Sequence, residues 1–180
     1  LRESLMNWIE RTPIMGSIYG SEGDEALVAA YIDAHLQAHK EVCDSASGSS
    51  KMMAERMMNV HEAAKSFLKP KGRVSRAREC LLFIESYREL PLLTWPRKLI
   101  DAIVELEESM VKWRHSHARM VERIMGRRIG TGGTSGVDYL DATSKYRVFK
   151  DLWSVRTILV KPQSRPELKG GEFYGYISTK

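Results

Sequence analysis

Residues Ile103–Gly126 read IVELEESMVKWRHSHARMVERIMG, and three residues later Gly130–Gly136 reads GTGGTSG. Within the first stretch Ile103, Leu106, Met110, Trp113, His117, Met120 and Ile124 recur in alternating steps of three and four. That spacing places them on one stripe of a helix over residues 97–125 and predicts a continuous buried seam. Gly126 stands where a helix ends in a left-handed residue, and Arg127 and Arg128 suit the negative end of the helix dipole.

His117 occupies a seam position where Leu or Met would serve packing better. His115, two residues away, points to nearly the opposite side, so the pair does not chelate one metal from a regular helix. A lone neutral imidazole on an apolar stripe suits a single axial iron ligand. On this feature alone a core histidine bonded to a backbone carbonyl is the commoner outcome. Trp113, one turn earlier, is placed to pack on a flat cofactor or simply to fill core. Arg114, near that face, would meet a propionate or pair with Glu107, Glu108 or Glu122.

The loop that follows has four glycines in seven residues, with the hydroxyls of Thr131, Thr134 and Ser135 among them. Glycine lets backbone N–H groups approach a ligand closely. No Gly-Lys-Ser/Thr follows, and a helix precedes the loop instead of a strand, so neither phosphate-loop fingerprint fits. A ligand-cradling loop and a plain connector both remain open.

Outward from this centre the pattern is helical throughout. Helices are expected over 1–11, ended by Pro13; from Ser21 or Asp24 to about 42; over 51–68, rich in Met; over 75–90; and over 145–159. Asp44–Ser50 reads as a polar linker, and residues 161–180 as a tail beyond a single helical domain, 1–160, tied down by Phe173, Tyr174 and Tyr176. His35, His39 and His61 lack a partner motif and are expected at the surface. The architecture is an all-α bundle.

The whole-chain totals narrow the function classes. With 180 residues, 43% hydrophobic and 28% charged, the chain is globular. The net charge of +5 comes from 28 basic residues interleaved with 23 acidic ones, and nucleic-acid binding would need a one-sided patch. Lys69, Lys71, Arg73, Arg76 and Arg78 form the best candidate, read as a solvated helix start. The two cysteines, Cys43 and Cys80, form neither a zinc motif nor a disulfide framework, which fits a reducing, cytoplasmic setting. No apolar run is long enough to span a membrane.

Trp113-Arg-x-x-His117, then Met125-Gly126, Gly130-Thr-Gly-Gly-Thr-Ser-Gly-Val-Asp-Tyr-Leu140 and Tyr146-Arg-Val-Phe-Lys-Asp-Leu-Trp153 together resemble the tryptophan 2,3-dioxygenase family. Trp8-Ile-Glu-Arg-Thr-Pro13 and Leu81-Leu-Phe-Ile-Glu-Ser-Tyr-Arg88 extend the resemblance upstream. It implies a helical bundle enclosing haem b, usually a homotetramer, that inserts both atoms of dioxygen (O₂) across the indole C2–C3 bond of L-tryptophan to give N-formylkynurenine. It makes His117 the axial haem-iron ligand and gives Trp113, Arg114 and Tyr139 to the haem pocket. Thr131, with Gly130 and Gly132, falls to the amino-acid end of the substrate. The family's distal histidine and carboxylate-clamping arginine lie upstream of the stretch that Leu1 matches, so a missing N-terminal part or second chain is expected. Thr134 and Glu122 depart from the commoner residues, which points to a substituted indole or to single-oxygen insertion. A non-catalytic haem-binding module and a haem-free interaction domain are the alternatives.

Overall fold

The computed structural model describes residues 1–48, 50–70, 75–128 and 136–175. Seven α-helices follow in chain order among them: α1 (Arg2–Ile9), α2 (Asp24–Ser47), α3 (Lys51–Leu68), α4 (Arg76–Ser86), α5 (Thr94–Met125), α6 (Val137–Ser144) and α7 (Lys150–Ser154). Short 3₁₀ turns lie at Pro91–Leu93, Val155–Ile158, Pro162–Ser164 and Gly171–Tyr174. The only extended pairing among the described residues is an isolated bridge between Ile14 and Ser17. The chain is all-α. It divides into two compact units, one of residues 1–98 with 151–180 and one of residues 99–150.

The first unit is built on α4. The sequence suggests one inward face, but the whole run Glu79–Glu85 is buried. A helix apolar on most sides belongs inside, and each fully buried Leu or Ile contributes about 1.5–3 kcal/mol. Phe83 is the hub of an aromatic cluster, with ring centroids 4.8 Å from Tyr87, 5.4 Å from Tyr31 and 5.5 Å from Tyr174. α1 lays Leu5 and Ile9 into this core.

α2 starts after Gly23, whose φ of 81° is left-handed, and not on a side-chain cap. Asp24 is buried instead. Its carboxylate accepts from Ser17 Oγ at 2.6 Å, Gly20 N at 3.1 Å and Arg76 Nη2 at 3.1 Å, pinning the preceding loop. Burial alone would raise its pKa, but these donors hold it below the usual range.

The expected linker at Asp44–Ser50 is mostly helix. α2 runs on to Ser47, with the hydroxyls of Ser45 and Ser47 donating back to the carbonyls of Glu41 and Cys43. Gly48 ends it, and Ser50 caps α3 by accepting from Met53 N.

The basic residues at the start of α4 are held by carboxylates: Lys69 by Asp33, Arg76 by Asp24 and Arg78 by Asp151. Lys71 and Arg73 lie outside the described residues. The segment after residue 160 is strapped onto the unit. Tyr87 Oη donates to Pro166 O at 2.6 Å, and the Arg165 guanidinium lies 4.5 Å from the Tyr87 ring centroid. Tyr174 is fully buried; its hydroxyl donates to Pro13 O and accepts from Gly16 N. There Gly16 and Gly170 meet backbone to backbone, where a Cβ on Gly170 would lie 3.3 Å from Gly16 Cα. Tyr176 lies outside the described residues.

The second unit contains most of α5, then α6. α5 begins three residues earlier than the spacing suggests and ends at Met125, followed by Gly126 at φ 65°. Its buried side chains are Ile100, Val104, Glu107 and Ala118. These lie one residue later than the stripe read from the sequence, about 100° round the helix. The apolar seam is a solvent-facing stripe: Leu106, Met110, Trp113, Met120 and Ile124 are all exposed.

The helix expected over 145–159 is shorter and later. Glu107 is buried, and its Oε1 accepts from Val148 N and from Phe149 N, the latter at 2.9 Å. This draws the amides before Lys150 to a side chain, and α7 starts beyond them. Val137–Ser144, read only as a lead-in, forms α6.

Candidate functional site

The long regular α5 presents Trp113 and His117 one turn apart, so their side chains meet. The ring centroids are 5.2 Å apart, inclined by 32°. Trp113 is 65% exposed, and His117 is half-buried. The imidazole makes no hydrogen bond among the described residues. A backbone-bonded core histidine is therefore not what α5 carries at this position. Met110 and Met120, a turn to either side, keep the surroundings apolar and solvent-facing. A large exposed apolar patch marks a contact with something else.

The structure separates Arg114 from that stripe. Its Nη1 donates to the Tyr146 carbonyl at 3.0 Å and not to Glu107, Glu108 or Glu122. Tyr139, on α6, is exposed. Gly130, Thr131 and Gly132 lie outside the described residues.

The two flanks of that glycine stretch are described, and they are fixed to each other. Arg127, just past α5, reaches Glu122 Oε1 at 2.9 Å and Asp138 Oδ1 on α6 at 2.7 Å. Arg119 bridges Glu122 and Asp141, again joining α5 to α6. The hydrogen bond from Arg119 holds the Asp141 carboxyl below the usual carboxylate range. Charge pairs from a regular helix thus set where the chain leaves α5 and enters α6. Sequence reading missed this network. Its signal is the run of arginines at the end of α5 set against acids at Asp138 and Asp141.

His35, His39 and His61 are buried, a correction to their expected exposure. His35 Nε2 donates to Ile158 O at 2.9 Å. Burial lowers its pKa to about 4, only partly offset by that hydrogen bond, and its Nδ1 has no partner. The signal was present: Val28, Ile32, His35, His39 and Cys43 continue one helical stripe. Cys43 and Cys80 are both free and buried. Cys80 donates to the carbonyls of Glu10 and Thr12, and burial pushes its thiol up to about 12.

A cleft of about 1010 Å³ in the first unit is lined by Tyr19, Asp24, Ile32, Lys69, Arg76 and Glu79. Its cations are already matched by Asp24 and Asp33, and none of the candidate residues lines it. No group of three His, Cys, Asp or Glu side chains among the described residues is placed to hold a bare metal ion. No described helix is long and apolar enough to cross a membrane.

The class this chain falls in is that of all-α proteins related to dioxygenases. More narrowly, it belongs to the tryptophan 2,3-dioxygenase family, whose model matches residues 3–159. It is 38% identical to a tryptophan 2,3-dioxygenase-like protein of Xanthomonas campestris pv. campestris (strain 8004), over 98% of this chain and 70% of that protein. It is 42% identical to tryptophan 2,3-dioxygenase 2 of Ralstonia nicotianae, over 98% of this chain and 52% of that one. Identity to a tryptophan 2,3-dioxygenase of Sorangium cellulosum is also 42%, over 98% of this chain and 47% of that protein. The chain thus spans about half the length of the last two.

Proposed function

We propose that the complete protein is a haem-dependent oxygenase that inserts dioxygen into the indole ring of L-tryptophan, giving N-formylkynurenine, or acts likewise on a substituted indole. The observation that carries this reading is the imidazole of His117, without a hydrogen bond among the described residues, on an exposed apolar stripe of a chain in this family.

The donor set fits a haem. A porphyrin would need an imidazole ligand and an apolar surface, and His117 with Trp113, Met110 and Met120 offers both. When bound, the haem supplies dioxygen activation, which no side chain here can perform. The protein's own residues do the rest. His117 holds the group from one side, and Trp113 orients the imidazole by packing on it. The apolar stripe keeps water from that face. Arg114 and Tyr139 border the pocket, Arg114 through the segment at Tyr146 that it fixes. Thr131, between Gly130 and Gly132, takes the ammonium or carboxylate end of the substrate. The pairs Arg119–Asp141 and Arg127–Asp138 set the span of that loop. The opposite wall comes from an N-terminal part of the polypeptide or from another copy, in a homo-oligomer of the tetrameric kind.

The test is the complete polypeptide expressed with iron supplied. A Soret band and conversion of L-tryptophan or a substituted indole, followed by mass spectrometry, support the reading. The mass of the product distinguishes insertion of two oxygen atoms from insertion of one. Absence of haem overturns it, and haem without indole turnover makes the chain a binding module.

A further inference from the structure

Few side chains are fully buried at the tip of the α2–α3 hairpin. Between residues 39 and 61 the buried side chains among the described residues are His39, Cys43 and His61. No aliphatic side chain is buried there; Ala64 and Leu68 of α3 lie further toward α4. Met53, Met57 and Val60 of α3 are half-buried there, and the fully buried contact across the tip is that between two imidazoles. His39 Nδ1 and His61 Nδ1 are 3.2 Å apart, with the rings nearly parallel, 26° between planes and 5.5 Å between centroids. Cys43 Sγ lies 3.7 Å from the same His39 nitrogen.

An N–H···N hydrogen bond needs one donor and one lone pair. The pair is satisfied when both rings are neutral, one carrying its proton on Nδ1, and also when it has gained one proton. With two added protons, both Nδ1 atoms become donors facing each other, and two cations share a buried site. We propose that the His39–His61 contact is an acid-released clasp: gain of the second proton parts α2 from α3 at the hairpin tip and exposes Cys43.

The surrounding charges do not cancel this. Lys40 and Asp44 flank the pair on α2, and Glu62 and Lys65 on α3, one cation and one anion from each helix. The turn Val155–Ile158, which packs against α3, adds Arg156, and the turn Pro162–Ser164 against α2 adds no ionisable side chain. α4 meets α3 at its other end, where Arg78 donates to Phe67 O. Burial lowers the pKa of both imidazoles, His39 further through the charge of His61 and His61 through Lys65. His35, a turn along the same stripe, is lowered to about 4 by burial and is anchored separately by its bond to Ile158 O.

The test is thiol labelling of the complete polypeptide with dithiodipyridine, which reacts at acidic pH, with Cys43 and Cys80 resolved by peptide mapping. Labelling of Cys43, divided by that of a free peptide at the same pH, is expected to rise about tenfold or more as pH is lowered from about 7 through the acidic range in which Cys80 stays protected. Cys80, buried on α4, stays protected. In His61→Gln, which keeps a hydrogen-bonding group and removes one titration, the rise is expected to flatten; in His61→Phe, which keeps only the stack, it disappears. A pH-independent Cys43 in the wild type overturns the clasp. So does an undiminished rise in both variants, and so does labelling of Cys43 and Cys80 together, which reports global unfolding.

Discussion

The indole of Trp113 rests on the imidazole of His117 at 5.2 Å, and both sit on the outward stripe of α5. A pair so placed adds little to the core of its own unit. Removing either should affect what the stripe binds far more than whether the chain folds. His117→Ala is expected to abolish haem retention, read as loss of the Soret band, with helical content unchanged by circular dichroism. Trp113→Ala is expected to keep haem at reduced occupancy, since Trp113 is 65% exposed and orients the ligand without being it. Retention of a full Soret band in His117→Ala would refute the axial assignment.

Glu107 is the opposite case, a polar residue with a structural task. Its carboxylate gathers the amides of Val148 and Phe149 at the entry to α7. Glu107→Ala leaves those donors without their acceptor and is expected to cost about 2 kcal/mol in denaturant unfolding. Glu107→Gln retains an acceptor oxygen and should recover much of the loss.

The ion pairs that fix α6 to α5 are part-exposed and screened by solvent, so their effect should appear more in binding than in stability. Arg119→Met, which removes the links to both Glu122 and Asp141, is expected to raise KM for the indole substrate severalfold. Haem content and melting temperature should stay near those of the wild type. A parallel loss of haem would show that the network supports α5 itself.

His35 gives a pH dependence with a definite sign. Its folded pKa, about 4, is below the unfolded value of 6.5, so the native state disfavours the added proton. Its contribution is fully present above 6.5 and is lost as pH falls from 6.5 toward 4, by about 3 kcal/mol in total. Unfolding free energy measured across that window should decline on acidification. In His35→Gln the decline should be shallower, with a lower value at neutral pH because the bond to Ile158 is perturbed.

Helix content was legible because periodicity and punctuation agree. The Gly126 stop and the Lys51–Leu68 helix stand as read. Errors fell where a residue had two physically reasonable fates. The serines after Asp44 look like linker, yet they bond back to their own helix. Histidines at 35, 39 and 61 look like surface, yet each finds a buried partner. The regularity at Val148 was cancelled by a carboxylate 41 positions away in sequence. Local pattern carries no information about such a partner.

Sequence alone determined the family and the all-α class, because residue types in a fixed order need no coordinates to be compared. Which stripe of α5 turns inward was decided only by tertiary structure. Two stripes about 100° apart are both compatible with a 3.6-residue repeat, and the one buried carries Ile100, Val104, Glu107 and Ala118, with Glu107 bonded to amides 41 and 42 positions away. That choice leaves His117 and Trp113 facing out.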